Sequence, residues 1–251
     1  MTRALVLAPS LATITLALTV AGAGAAPAAD SPRPGVLAPL SEPYTPQISP
    51  SEFVVGVNNP WLPYNPGTYI RFEGVRGKVP QRDVEHVLYR TTRIQGVRAT
   101  IVRDTVFERG HVAERTDDWY AQDRWGNVWY LGEASYERRH GKLVRAGDSW
   151  EWGVDGALPG IIMPAHPRTG DAYRQEHYAP GKALDQARVL PRLARLTVLY
   201  GTFHNVLVTS ERSPLEPQTE RKYFVRGLGE VAERVVKGHH ETFELVSLTR
   251  A

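Results

Sequence analysis

The strongest constraint on the fold is a repeated alternation of apolar and polar residues with a period of two. The segments that show it are rich in Val, Thr, Tyr, Phe and Trp and are bounded by Gly, Pro, Asn or Asp. Short strands at intervals of ~8–12 residues are typical of antiparallel sandwiches and barrels. The sequence therefore predicts an all-β fold, either an antiparallel β-barrel or a strongly curved sheet or sandwich of about ten strands. The predicted strands are residues 68–72, 84–94, 99–107, 111–122, 127–133, 172–178, 206–211, 221–225, 230–237 and 241–248.

Two further segments do not follow this pattern. Residues 185–199 fit either a helix or strands, because Pro191 interrupts a helical stripe that includes Ala187 and Leu190. Residues 153–170, GVDGALPGIIMPAHPRTG, are predicted to form a long Pro/Gly loop with an apolar centre. Long loops in compact domains are often lids or binding loops. The alternative is that the apolar centre plugs one end of the barrel.

The chain divides by composition into a leader, a tether and a domain. Residues 1–29 contain one cation, Arg3, then a mostly apolar run and a small-residue end, which is the pattern of a secretory signal peptide. Residues 30–52 carry prolines at positions 32, 34, 39, 43, 46 and 50, and this predicts an extended, disordered tether. Residues 53–251 are then expected to form a single β domain.

These features predict a secreted, extracellular protein. After residue 29, no segment approaches the ~18 continuous apolar residues that span a bilayer. The sequence contains no cysteine, so the fold depends on its core rather than on disulfides. The net charge is +3, from 30 Lys and Arg against 27 Asp and Glu, and the two signs are interspersed. This balance argues against a nucleic-acid partner.

The segment with the most candidate functional residues is 117–133, DDWYAQDRWGNVWYLGE. It predicts a β-hairpin whose turn contains Trp125-Gly126, with a loop of two or four residues. An odd number of loop residues would exchange the two faces. The predicted cross-strand partners are Asp118 with Glu133, Tyr120 with Leu131, and Gln122 with Trp129.

This pairing sorts the hairpin into a polar face with aromatic rings and an apolar face. The polar face is predicted to carry Asp118, Tyr120, Gln122, Asn127, Trp129, Leu131 and Glu133. The apolar face is predicted to carry Trp119, Ala121, Val128 and Tyr130, with Trp119 and Tyr130 in the core.

The polar face is a candidate site because positions that share a face lie about 5–8 Å apart. The predicted ligand-binding residues are Tyr120, Gln122 and Trp129 on the hairpin, together with Arg174 from the segment YRQE. The alternative is catalysis by a carboxylate pair, Glu133 with Asp118 or Glu176, in which proximity raises one pKa. A third interpretation is that this face is simply the solvent face of a sheet.

Other motifs for chemistry are absent from the sequence. It contains no G-x-x-x-x-G-K, no G-x-S-x-G and no H-E-x-x-H. We expect no metal site and no cofactor, and the expected partner is a small-molecule ligand.

The segments NNPWLPYNPGTYIRFEG, DWYAQDRWGNVWYLGE and PGIIMPAHPRTGDAYRQE carry a family resemblance. The chain resembles exported bacterial proteins of unassigned function with the motifs DWYAQDxxGNVWYxGE and PGIIMPAxPxxGDxYRQE, over most of residues 58–246. In that group the turn commonly reads Asp-Gly where this chain has Trp125-Gly126. More distantly, YGTFHNVL and YFVRGLGEV are similar to segments of envelope proteins with curved antiparallel β-sheets that bind apolar or amphipathic ligands. The resemblance implies an open barrel or curved sheet and implies no reaction.

Three functions therefore remain open on sequence alone. The first is a secreted β-barrel-like protein that binds a small amphipathic or carbohydrate-like ligand. The second is a secreted hydrolase or lyase that uses a carboxylate pair, and the third is a non-catalytic interaction protein of the cell envelope. The observation that separates them is whether the face with Tyr120 and Trp129 points into a cavity.

Overall fold

The computed structural model describes residues 38–180 and 183–250, so the predicted signal peptide lies outside the described residues. The described chain contains one 3-10 helix, Pro50–Glu52, and sixteen strands. The strand bounds are β1 Phe53–Val54, β2 Tyr69–Arg76, β3 Val79–Ile94, β4 Val97–Glu108, β5 His111–Asp123, β6 Val128–Arg139, β7 Lys142–Arg145, β8 Trp150–Glu151, β9 Leu158–Met163, β10 Ala172–Arg174, β11 Glu176–His177, β12 Gln186–Val198, β13 Gly201–Arg212, β14 Thr219–Val225, β15 Gly229–Lys237 and β16 Glu241–Thr249. No helix in these two ranges is long and apolar enough to cross a bilayer.

The strands form one antiparallel sheet that closes almost completely into a barrel, which confirms the predicted fold class. The order is β10-β12-β13-β14-β15-β16-β2-β3-β4-β5-β6-β9-β11. The two ends of this order are β10 and β11, which are consecutive in the chain and separated by Gln175 alone. The strands outnumber the ten expected for three reasons. Segments such as β1, β7 and β8 are too short to show a period, the predicted strand 172–178 is divided into β10 and β11, and β9 and β12 form in segments that were not predicted as strands.

The two ambiguous segments both contribute to the barrel wall. Residues 185–199 contain strand β12, Gln186–Val198. Its register shifts between Leu190 and Leu193, because Pro191 has no backbone N–H to donate. Strand β9 occupies the centre of the predicted loop 153–170, where it pairs with β6 and β11. Gly160 permits this packing, since a Cβ there would overlap the backbone of Gln175. The flanks of the segment remain loops.

The hairpin of β5 and β6 departs from the predicted register. Its loop has three residues between Asp123 and Asn127. The Asp123 amide donates to the Asn127 carbonyl at 3.0 Å. The odd loop exchanges the faces, so Tyr120 pairs with Tyr130 instead of Leu131, and Gln122 pairs with Val128 instead of Trp129. A bulge at Gly132, with φ of +136°, then restores the original faces. Asp118 therefore still pairs with Glu133, as predicted.

The segment before β2 packs against the barrel. Ala38 and Tyr44 are buried, and the Tyr44 hydroxyl donates to the Pro159 carbonyl at 2.6 Å. The described part of the predicted tether, residues 38–52, is thus docked on the domain through contacts that its composition does not reveal. Further along, Leu62 and Tyr64 are buried and line the barrel interior. Ile162, from the apolar centre of residues 153–170, lines the same cavity, so both segments contribute to the interior.

Candidate functional site

The predicted carboxylate pair meets at the hydroxyl of Tyr130. The Tyr130 Oη lies 2.6 Å from Asp118 Oδ1 and 2.8 Å from Glu133 Oε2. A phenol has one hydrogen and can donate to one carboxylate, so the second contact requires a protonated carboxyl that donates to the phenol oxygen. The structure therefore brings Asp118 and Glu133 together, with Tyr130 between them. The prediction that Tyr130 belongs to the opposite, apolar face was wrong because of the three-residue loop.

Both carboxyl groups of this pair hold their protons more tightly than free side chains do. Burial raises the pKa of Asp118 well above its usual value, and Asp104 adds to the effect, while the hydrogen bond from Tyr130 opposes it. Burial likewise raises the pKa of Glu133, and the neighbouring Asp118 raises it further. One carboxyl proton, together with the phenol hydrogen of Tyr130, satisfies both hydrogen bonds. The pair is thus a structural contact as well as a candidate acid and base.

Aromatic rings surround this trio. Tyr120 is buried and stacks on Tyr130 at 5.0 Å and on Tyr64 at 5.2 Å between ring centroids. Trp150 packs edge-on against Tyr130 at 5.3 Å and donates its indole N–H to Glu176 at 3.0 Å. The candidates Asp118, Tyr120, Glu133 and Glu176 therefore all lie in or next to one buried cluster inside the barrel.

The other three candidates lie elsewhere. Trp129 is on the opposite face of the sheet, where it packs against Phe53 and donates to Asp123 at 2.9 Å. Arg174 is buried and donates to the carbonyls of Pro39 and Leu40 and to the Glu42 carboxylate at 2.6 Å, so it fixes the N-terminal segment. Only Gln122 reaches an open cleft.

The barrel interior is acidic, aromatic and nearly full. Lys222 is buried among Glu233, Glu211 and Glu230, with N···O distances of 3.6, 3.8 and 3.9 Å. Burial alone would lower the pKa of Lys222, but these carboxylates raise it well above its usual value. The cavity beside them has a volume of about 30 Å³. That is room for one or two waters and not for a sugar ring.

A larger cleft lies at the end of the barrel where the β5–β6 turn is found. Its volume is about 420 Å³, within the range of small-molecule sites. Five separate parts of the chain meet there: the segment before β2, the β5–β6 turn, the residues after β9, the bulge of β12 and the β14–β15 turn. The lining residues are Asn58, Asn59, Pro60, Trp61, Gln122, Trp125, Gly126, Ala165, His166, Pro167, Arg168, Arg192 and Arg226.

Hydrogen bonds hold the walls of this cleft in place. Asn59 donates from Nδ2 to the carbonyls of Gly126 at 2.8 Å and Pro164 at 3.1 Å, and its Oδ1 accepts from the Trp61 amide. Gln122 exchanges two hydrogen bonds with Asn58, at 2.9 and 2.7 Å. These bonds tie the turn, the segment before β2 and the residues after β9 into one pre-formed surface.

Trp125 gives the cleft an accessible aromatic ring. The Asp123 carboxylate accepts from the amides of Trp125 at 3.0 Å and Asn127 at 2.9 Å, which fixes the turn. The ring is 42% exposed, and the Arg124 guanidinium lies 4.5 Å from its centroid. Trp125 was predicted as a turn residue and not as a site residue. The sequence feature that could have identified it is the turn Trp125-Gly126, where the resembling proteins commonly have Asp-Gly.

Comparisons with known proteins identify no family for this chain. No protein-family model matches the chain, and no curated protein matches it. A candidate exported protein with a YmcC-like fold from Bacteroides fragilis is similar with a TM-score of 0.45 and 10% identity, over 76% of this chain and 99% of that one. A candidate lipoprotein from Parabacteroides distasonis is similar with a TM-score of 0.40 and 10% identity, over 75% and 98% of the two chains.

Proposed function

We propose that this chain is an exported protein that binds a small amphipathic or carbohydrate-like ligand in the cleft at the end of its barrel. The observation that carries the proposal is the volume of about 420 Å³, bounded by Trp125, Trp61 and the amides of Asn58 and Gln122. An exposed indole ring offers a flat apolar surface for stacking, and amide groups offer donors and acceptors for hydroxyl groups. The apolar run and small-residue end of residues 1–29 support export.

The interior cluster supports binding or catalysis less well. Asp118 and Glu133 are close enough for glycoside hydrolysis, which uses carboxyl groups about 5–5.5 Å or more apart. However, the Tyr130 hydroxyl occupies the space between them at 2.6 and 2.8 Å. The neighbouring cavity of about 30 Å³ gives a substrate no room. The proposal therefore places the ligand outside the barrel core.

The test is a binding screen with a matched pair of variants. Isothermal titration calorimetry would measure binding of a defined panel of neutral and acidic oligosaccharides and of a non-ionic detergent to the protein. Trp125→Ala is expected to weaken binding at least about fivefold, since ring stacking contributes ~1 kcal/mol or more. Tyr89→Ala removes a ring that is 72% exposed and lies outside the cleft lining, so it should leave binding unchanged.

Two results would overturn the proposal. One is a panel in which no compound binds to the folded protein. The other is binding that survives Trp125→Ala unchanged.

A further inference from the structure

The charges that line the cleft are all of one sign. Among the described residues that line it, Arg168, Arg192 and Arg226 are cations, His166 can become one, and no residue is Asp or Glu. The chain as a whole is close to balance, with 30 basic and 27 acidic side chains. The cleft is therefore a local concentration of positive charge, in contrast to the acidic interior of the same barrel.

The three guanidinium groups have no carboxylate partner within residues 38–180 and 183–250. The ion pairs among the described residues engage other arginines, such as Arg103 with Asp117 and Arg76 with Glu241. The contact of Arg168 with Asp171 is made by the Arg168 backbone amide, at 2.8 Å, and not by its guanidinium group. All three side chains are exposed. Their donors are thus available to a ligand.

The backbone and packing place these side chains at the cleft. Arg192 follows Pro191 in the bulge of β12, and its guanidinium lies 4.4 Å from the centroid of the Trp61 ring. This contact orients the group without neutralising its charge. Arg226 lies in the β14–β15 turn, where the Gly227 amide donates to the Pro60 carbonyl at 2.6 Å. That bond anchors the Arg226 turn to the segment that carries Trp61.

We infer that the ligand of this cleft carries an anionic group, a carboxylate, phosphate or sulfate, that is bound by Arg168, Arg192 and Arg226. A guanidinium group presents planar donors that match these anions with two parallel hydrogen bonds. The exposed Trp125 ring lies in the same cleft and provides a stacking surface for the uncharged part of the ligand. The arrangement fits an acidic sugar, such as a uronate or a sugar phosphate. The inference rests on the proposed function and specifies the chemistry of its ligand.

The experiment compares a charged ligand with its uncharged counterpart. Trigalacturonate and its trimethyl ester have the same sugar skeleton and differ in charge, and calorimetry would measure both against the full chain. Galactose 6-phosphate, galactose 6-sulfate and inorganic phosphate identify which anion is preferred. The expected result is that at least one charged probe binds at least about tenfold more tightly than its uncharged analogue. Binding should weaken with added salt, because exposed charges are screened.

Arginine variants test whether the three side chains cause this preference. Arg168→Gln combined with Arg226→Gln is expected to weaken binding of the charged probe at least about tenfold for each guanidinium group removed. Arg98→Gln, which removes an exposed arginine of β4 outside the cleft lining, should have no effect. Circular dichroism and thermal melts would verify that each variant remains folded.

The outcomes separate this inference from the proposed function. Equal binding of trigalacturonate and its ester, unchanged in the double variant, overturns the anionic ligand and leaves the binding cleft in place. Binding of inorganic phosphate alone, lost in the double variant, supports the anion site and contradicts a carbohydrate-like ligand. If no charged or uncharged probe binds, both proposals fail.

Discussion

Replacing Tyr130 with phenylalanine is the most informative perturbation of the barrel interior. The variant removes one oxygen atom that contacts Asp118 at 2.6 Å and Glu133 at 2.8 Å, and it leaves the ring and its stacking on Tyr120 in place. Two buried carboxyl groups then lose a hydrogen-bond partner. Asp118 is the more affected, because its second oxygen, Oδ2, already has no partner among the described residues.

The expected loss of stability depends on pH. Burial raises the pKa of each carboxyl group well above its usual value, so lowering the pH favours the protonated forms. The variant then loses two neutral hydrogen bonds, at ~1 kcal/mol each. As pH rises, ionisation becomes more favourable, and a hydrogen bond to a charged group contributes ~1.5–3 kcal/mol. We therefore expect Tyr130→Phe to lower the free energy of unfolding by about 2 kcal/mol where both carboxyl groups are protonated and by about 3 kcal/mol or more where one is ionised. The loss should be larger at pH 8 than at pH 5.

The sign of this pH dependence follows from proton linkage. A carboxyl group whose pKa is raised by folding binds more protons in the folded state than in the unfolded state. Its stabilising contribution is complete below the unfolded pKa and is lost as pH rises through the folded pKa. The Tyr130 hydrogen bond lowers both folded pKa values, so its removal raises them further. The variant should consequently lose stability more steeply with pH than the parent protein.

Urea unfolding at pH 5 and pH 8, followed by circular dichroism, would measure these differences. Tyr173→Phe is the matched control, because the Tyr173 hydroxyl is buried without a hydrogen-bond partner among the described residues. Removing that hydroxyl should be neutral or should stabilise the protein by up to ~1 kcal/mol. The reasoning is refuted if Tyr130→Phe is as mild as Tyr173→Phe, or if its cost falls as pH rises.

Three further perturbations test other parts of the structure. Thermal melts should show the protein losing stability from pH 5 to pH 8, because burial raises the pKa of Asp185 to about 7 and that of Glu230 to about 8; a melting temperature that rises over this range would contradict this. Gly132→Ala should lower the free energy of unfolding by more than ~2 kcal/mol, since a Cβ would overlap the Trp150 carbonyl oxygen. In the control Gly141→Ala the added Cβ meets no atom within 4 Å, so the variant should lose only ~1 kcal/mol for its positive φ. Similar losses of the two variants in urea unfolding would refute the bulge argument. Asn59→Ala removes three hydrogen bonds at the cleft wall and should cost ~2–3 kcal/mol by the same assay; a loss below ~0.5 kcal/mol would show that these bonds do not hold the cleft.

The fold could be predicted from sequence largely because a period of two persists through long strands. Strands β4, β5 and β15 agree with the predicted segments to within two residues at each end. The short strands β1, β7 and β8 were not predicted, since two to four residues carry too little of a period, whereas β10 and β11 fall within the predicted strand 172–178. The closure of the barrel by β10 and β11 also lacks a local signal, because it depends on pairing with β12 and β9 across the whole sheet.

The hairpin shows how one loop residue changes the prediction of a site. The parity of the turn decides which rings share a face, and the sequence gives little sign that the Asp123 carboxylate wraps the turn. The glycine at position 132 was the sequence feature from which the bulge could have been predicted. Because the shift occurs only between these two points, Asp118 and Glu133 were paired correctly, while Tyr130 and Trp129 were exchanged.

The cleft could not have been predicted from local patterns. Its residues come from five segments between Asn58 and Arg226, and each segment alone reads as a turn or a bulge. Exposed arginines are common in proteins, so none of these three stands out in the sequence. They become significant only when the fold shows that three of them share one cleft without an acidic neighbour.

The central claim is that ligand binds at the end of the barrel and not in its interior. Nuclear magnetic resonance of the tryptophan indole N–H groups tests it directly, since Trp125 lines the cleft and Trp150 lies inside against Tyr130. On titration with trigalacturonate, the Trp125 signal is expected to shift and the Trp150 signal to remain in place. A shift of Trp150 with an unchanged Trp125 would contradict the account and would place the ligand among the buried carboxyl groups.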